Sequence, residues 1–165
     1  MRDDAQGSLG VEAMAMRKTA LWIALWGTAA SGSAAQTGPP TETWVPISRS
    51  AQSITGKVTF ASDQITFQNG KSLPLSRGGQ MLFRAEKKKK RVMADLYRVT
   101  PPDDPVLQNG GRLCNGKPVA YLLVWKPERS DADVGERSMD VFSGQKFEVG
   151  SPDDCGRYVY NAGVH

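Results

Sequence analysis

The chain has 165 residues, room for one ordinary domain, with 39% hydrophobic and 23% charged side chains, 17 Gly and 10 Pro. That balance excludes a disordered tail, and Gly and Pro at such density argue against a helical bundle. The net charge of +4 is local: residues 1–35 are charge-balanced, and Arg84, Lys87, Lys88, Lys89, Lys90 and Arg91 together exceed the whole surplus.

From the N terminus, Met16-Arg17-Lys18 opens a positive stretch and Thr19 to Ala30 is an apolar run of twelve, interrupted only by Thr19, Gly27 and Thr28. Ser33-Ala34-Ala35 then offers the small residues that a signal peptidase reads, so cleavage is expected before Gln36. The apolar run is shorter than the roughly 20 residues a spanning helix needs. The polar, acidic residues before Met16 do not resemble a signal, which places the expected start at Met14 or Met16, with Met1 an upstream start. Residues 1–35 are thus expected to be an upstream extension and signal peptide, and 36–165 a single β domain that is periplasmic or secreted, does not span a membrane and is a monomer. No cysteine precedes Cys114, so the acylated cysteine of a lipoprotein anchor is missing. Cys114 and Cys155 are the only cysteines, and export to an oxidising compartment predicts that they form one disulfide. A redox pair would instead be spaced C-x-x-C.

In the mature part, residues 36–43 are Pro-rich and read as a loose arm. Ser53 to Phe60 alternates apolar and polar residues and predicts the first strand. Ile65-Thr66-Phe67 and Leu73 to Leu75 flank Asn69-Gly70, a strong hairpin signal in which a type I′ turn would give both central residues positive φ. Gln80 to Arg84 is read as a further strand leading into the basic run. Val92 to Val99 follows as another, stopped by Thr100-Pro101-Pro102. Asn109-Gly110-Gly111 and Asn115-Gly116 mark turns. Val119 to Trp125, apolar throughout and bounded by Pro118 and Pro127, predicts a central strand buried on both faces. Lys126 to Arg137 reads as a charged loop, and Ser138 to Phe142, Lys146 to Val149 and Arg157 to Tyr160 as the last strands. About eight short strands joined by Gly, Asn and Pro turns predict an all-β fold, a small antiparallel barrel or sandwich with one disulfide.

The chemistry is bounded by what is missing. His165 is the only histidine and the last residue, so a Ser-His-Asp or Cys-His site has no imidazole within the fold, and zinc or copper sites of ordinary ligand type are excluded. The pairs Asp103-Asp104 and Asp153-Asp154 adjoin prolines and read as turn residues. Asp131, Asp133 and Glu136 faintly suggest a calcium loop, but Val134 and Gly135 interrupt the oxygen ligands, leaving a solvated loop. No catalytic, cofactor or metal site is expected, and the domain is read as non-enzymatic with no cofactor.

The run from Arg84 to Arg91 has a definite physical consequence, because six cations this close must be solvated, on a hairpin tip or a sheet edge. It then serves either as a solubilising segment that blocks edge pairing or as a patch for an anionic envelope surface or another periplasmic protein. Nucleic acid is disfavoured, since no aromatic recognition motif accompanies the run. Two other readings carry their own signatures. A barrel carrying a small apolar ligand would show an internal cavity lined by Tyr and Trp. A hydrolase using carboxyl groups alone would bring two of them face to face across a cleft.

The strings W-V-P-I-S at Trp44, S-I-T-G at Ser53, F-Q-N-G at Phe67, L-Y-R-V-T at Leu96 and D-P-V-L at Asp104, with the two late cysteines, resemble small uncharacterised secreted proteins of Gram-negative bacteria that bear a signal peptide. The resemblance brings no assigned activity to any of these residues. In size, export and single disulfide the chain is also similar to periplasmic β-barrel inhibitors of lysozyme. A lysine run complements a basic lysozyme poorly, so charge opposes that function.

Overall fold

The computed structural model describes residues 40–86, 91–127 and 135–163. Eight strands follow one another: β1 Glu42–Pro46, β2 Val58–Phe60, β3 Gln64–Phe67, β4 Ser72–Phe83, β5 Val92–Asp103, β6 Val119–Trp125, β7 Glu136–Phe142 and β8 Asp154–Ala162. Each pairs antiparallel with the next, and β1 pairs with β8 through Trp44 opposite Ala162, so the expected all-β fold is a closed barrel in simple chain order. Closure leaves no open sheet edge in the ring.

The period-two pattern sends Trp44, Phe60, Tyr97, Leu122, Met139 and Tyr160 inward as one core. Aromatic rings occupy much of that interior: Trp44 stacks on Phe60 with centroids 4.4 Å apart, and Tyr97 meets Phe60 edge-on at 5.1 Å. A second apolar cluster lies on the outer face, where Phe83, Ala94, Leu123, Trp125 and Phe142 are buried. The end of the β4–β5 hairpin and the loop 143–153 cover it, with Phe147 edge-on to Phe142 at 5.4 Å. This double cover explains the uninterrupted apolar run of β6. Leu122 and Val124 face the interior while Leu123 and Trp125 face the outer cluster, as expected for a strand buried on both sides.

Several expected elements take a different form. The first strand is not Ser53 to Phe60 but β1, which Pro46 obscures in the sequence by standing at the strand's end. Ala51–Thr55 instead form a single wide helical turn. Its hydrogen bonds explain the change, because Thr55 Oγ1 donates to Ala51 O at 2.9 Å and pairs with Tyr160 Oη at 2.7 Å, leaving only Val58–Phe60 for the strand. Leu73 to Leu75 and Gln80 to Phe83 belong to one long strand, β4, which stops short of Arg84 and whose register shifts between Arg77 and Gly79. Gly79, at φ 99°, supplies the positive φ associated with such a bulge. Strand β5 runs on through Pro101 and Pro102, because its pairing with β6 lapses between Arg98 and Asp103 and no ladder N–H is required there. Lys146 to Val149 is loop, turned by Asp153, whose Oδ2 accepts the Lys146 N–H at 3.0 Å.

The Asn69-Gly70 hairpin joins β3 and β4 as expected, with a different turn. Gly70 N donates to Phe67 O at 2.9 Å, Phe67 N to Lys71 O at 2.8 Å, and of the pair only Gly70 has positive φ (80°). That is the three-residue loop with a glycine bulge. At Asn115-Gly116 both residues do have positive φ, 54° and 91°, and Lys117 N donates to Cys114 O at 3.1 Å.

One end of the barrel is plugged by Ala51–Thr55, the segment 104–118 and the Cys114–Cys155 disulfide, whose Cα atoms are 4.7 Å apart. Asp104 organises that plug. Its buried carboxyl accepts the N–H groups of Leu113 at 2.9 Å, Cys114 at 3.2 Å and Gly116 at 2.7 Å, and its carbonyl accepts from Arg112. Tyr158 Oη donates to Leu113 O at 3.2 Å, and burial, with a smaller push from Asp104, raises its hydroxyl to about 12.

A candidate anion-binding hairpin

Strands β4 and β5 stay paired to their far ends, Phe83 opposite Val92, Leu82 opposite Met93 and Met81 opposite Ala94. Alternation therefore divides the hairpin. Met81, Phe83, Val92 and Ala94 turn towards the outer cluster, while Leu82, Arg84, Arg91 and Met93 are exposed. Arg84 and Arg91, predicted to bracket an anion-binding patch, stand just beyond the last ladder pair, which makes the basic run the connection of this hairpin. Lys87, Lys88, Lys89 and Lys90 lie outside the described residues. Arg84, Arg91 and Leu82 line an open groove of about 530 Å³ with Phe147, Glu148 and Val149 of the loop 143–153.

A fastening of three side chains holds the hairpin end against the barrel. Asp140, almost fully buried on the outer face of β7, accepts Trp125 Nε1–H at 2.7 Å and Arg157 Nε–H at 2.9 Å. Arg157 lies over the Trp125 ring, 5.0 Å from its centroid, and donates through Nη2 to Ala85 O at 2.5 Å. Burial pushes the Asp140 carboxyl above its ordinary range, while the Arg157 charge and the hydrogen bonds from Trp125 and Arg157 pull it back. No motif announces this cluster. Its one sequence signal is an acidic residue within the apolar alternation of Ser138 to Phe142.

The unplugged end of the barrel carries a second hollow of about 340 Å³, lined by Gln80, Met93, Asp95, Val124, Lys126 and Arg137 among others. Asp95 and Arg137 in its lining both have partners. Asp95 Oδ1 accepts from Arg77 Nη2 and Gln80 Nε2, each at 3.0 Å, and Glu42 Oε2 accepts Trp44 Nε1–H at 3.0 Å with Arg137 Nη2 at 3.7 Å. Burial first, then Asp95, raises the Tyr97 hydroxyl just inside. Asp95, Asp104 and Asp140 are thus each engaged by donors of their own, on different strands or loops.

Asp131 and Asp133 of the calcium-like string lie outside the described residues, and Glu136 opens β7. Asp153 and Asp154 shape their loop: Asp154 accepts Gly150 N–H at 2.6 Å through Oδ2 and Gly156 N–H at 3.0 Å through Oδ1. Among the described residues no group of three or more His, Cys, Asp or Glu could hold a metal ion, and no helix is long and apolar enough to cross a membrane. The fold thus defines the class, a closed eight-stranded antiparallel barrel with one disulfide. No family model, curated protein or solved structure matches the chain.

Proposed function

We propose that this protein is an exported, non-enzymatic β-barrel that binds an anionic component of the cell envelope through the end of its β4–β5 hairpin. The observation that carries the reading is the position of Arg84 and Arg91. Both stand on the exposed face of a hairpin whose opposite face is packed down, beside a groove floored in part by apolar side chains. A packed back limits the hairpin's freedom, so presenting its cations costs less ordering entropy than a free loop would. Four lysines between the two arginines in sequence add charge of the same sign.

The test is binding to peptidoglycan and to anionic and neutral vesicles at low and high salt, before and after Arg84, Lys87 to Lys90 and Arg91 are all replaced by Gln. Salt-sensitive binding that disappears with the six replacements is the expected result. Binding that ignores both salt and the replacements would overturn it. Export is tested by N-terminal sequencing of the secreted or periplasmic material, which should begin at Gln36; an intact Lys18 would end that part of the reading.

A further inference from the structure

Beyond charge, the hairpin has a second property. Leu82 and Met93 are 58% and 55% exposed, two of the few large apolar side chains so placed among the described residues, and they are direct cross-strand partners. Scattered exposed apolar side chains are ordinary, but a facing pair forms a patch. Just past the strand ends, Arg84 and Arg91 are exposed as well and line one groove with Leu82. Apolar patch and cations therefore look the same way, from a ribbon whose back is fastened to the barrel through Phe83, Ala94 and the Arg157 bond to Ala85.

We infer that the anionic partner is a lipid bilayer surface, against which the hairpin lies with Leu82 and Met93 buried at the level of the headgroups and Arg84 and Arg91 at the lipid phosphates. This rests on the basic hairpin being the binding element and names its ligand. A soluble polyanion would use the arginines and leave the two apolar side chains in water, whereas an anionic bilayer satisfies both, its phosphates matching the cations and its acyl boundary matching the patch. Long cationic side chains beside an apolar patch suit such an interface, since their stems lie along the apolar layer and their heads reach the phosphates.

The experiment compares the protein as isolated with its Leu82→Ser/Met93→Ser variant. Both share one N terminus, so any contribution of that segment cancels. Partition into vesicles of equal phosphatidylglycerol and phosphatidylcholine is measured beside binding to dextran sulfate and the rise in surface pressure of a phosphatidylglycerol monolayer. Roughly tenfold weaker vesicle partition and loss of the pressure rise are expected, with dextran sulfate binding and melting temperature unchanged. Undiminished partition or an undiminished pressure rise would overturn the inference, leaving the basic hairpin as a binder of some other anion. The Arg84→Gln/Arg91→Gln variant separates the two readings, because full retention of both vesicle and dextran sulfate binding would remove the basic hairpin itself.

Discussion

The plugged end of the barrel and the β4–β5 hairpin are built from the same alternating strands and spend their polar groups in opposite ways. At the plug, polar atoms turn inward onto backbone: Asp104 gathers three N–H groups, Thr55 holds its own turn and Tyr160, and Tyr158 reaches Leu113. On the hairpin, the backbone is already satisfied by the ladder, so Arg84 and Arg91 are left facing solvent and Leu82 and Met93 lie beside them. Groups already committed to the fold are costly to change and have no capacity for a ligand. Groups the fold leaves unused can be changed cheaply and are where binding can reside.

The sharpest contrast should come from removing the disulfide. Cys114 and Cys155 are 41 positions apart, and in the chain-entropy model closing such a loop restricts the unfolded chain by about 4 kcal/mol. Cys114→Ala/Cys155→Ala should lose about that amount in urea denaturation. An unchanged midpoint would show that the hydrogen bonds of the plug suffice without it. Next comes Asp104→Ala, which strands three buried or half-buried N–H groups and is expected to cost about 3 kcal/mol. Asp104→Asn retains one acceptor but turns an amide N–H towards donors, so it should recover only part of the loss.

The fastening of the hairpin to the barrel gives a third effect with a distinctive pH dependence. Asp140 binds its proton more tightly in the fold than in the unfolded chain, since burial raises its pKa. Its contribution to stability is therefore fully present below the ordinary carboxyl range and is lost as pH rises through the raised value. Arg157 limits that rise. Arg157→Met should push Asp140 further up, extend the falling limb to higher pH and cost about 2 kcal/mol at neutral pH. Parallel stability curves for the variant and the parent would sink this account. Ala85 O loses its donor in the same variant, so amides at the hairpin end should exchange faster with solvent than those of the plug.

What could be read in advance divides along the same line. The Asn69-Gly70 hairpin and the doubly buried β6 were legible because each depends on local chemistry, a glycine with positive φ and an apolar run of strand length. The exposure of Arg84 and Arg91, the two described cations of the basic run, was legible because like charges in a cluster cannot be packed together. The turn at Ala51–Thr55 was not, since Ile54 mimics strand alternation while actually packing on the core from a helical turn. Nor were Asp104 and Asp140, whose roles depend on donors that the fold brings from distant positions: Leu113 and Cys114 to one, Trp125 and Arg157 to the other. The groove was hidden for the same reason, because Phe147 and Val149 come from a loop that only the closed barrel lays beside Arg84 and Arg91.

The smallest expected effect bears most directly on function. Arg84→Gln/Arg91→Gln removes two exposed cations at the hairpin end. Isolated surface charges contribute little, so the unfolding midpoint should change by less than about 0.5 kcal/mol equivalent, with like-charge repulsion from the neighbouring lysines favouring a slight gain. A solubilising segment and a binding segment both predict that silence in the stability measurement, and they part in the binding measurement. If the two arginines meet an anionic surface together, their loss should weaken binding at low salt and flatten its salt dependence, while binding at high salt changes little. A variant equal to the parent at every salt concentration would leave the hairpin a mere solvated edge. A large loss of stability would mean that the arginines are committed to the fold as firmly as Asp104, and the contrast between the two regions would fail.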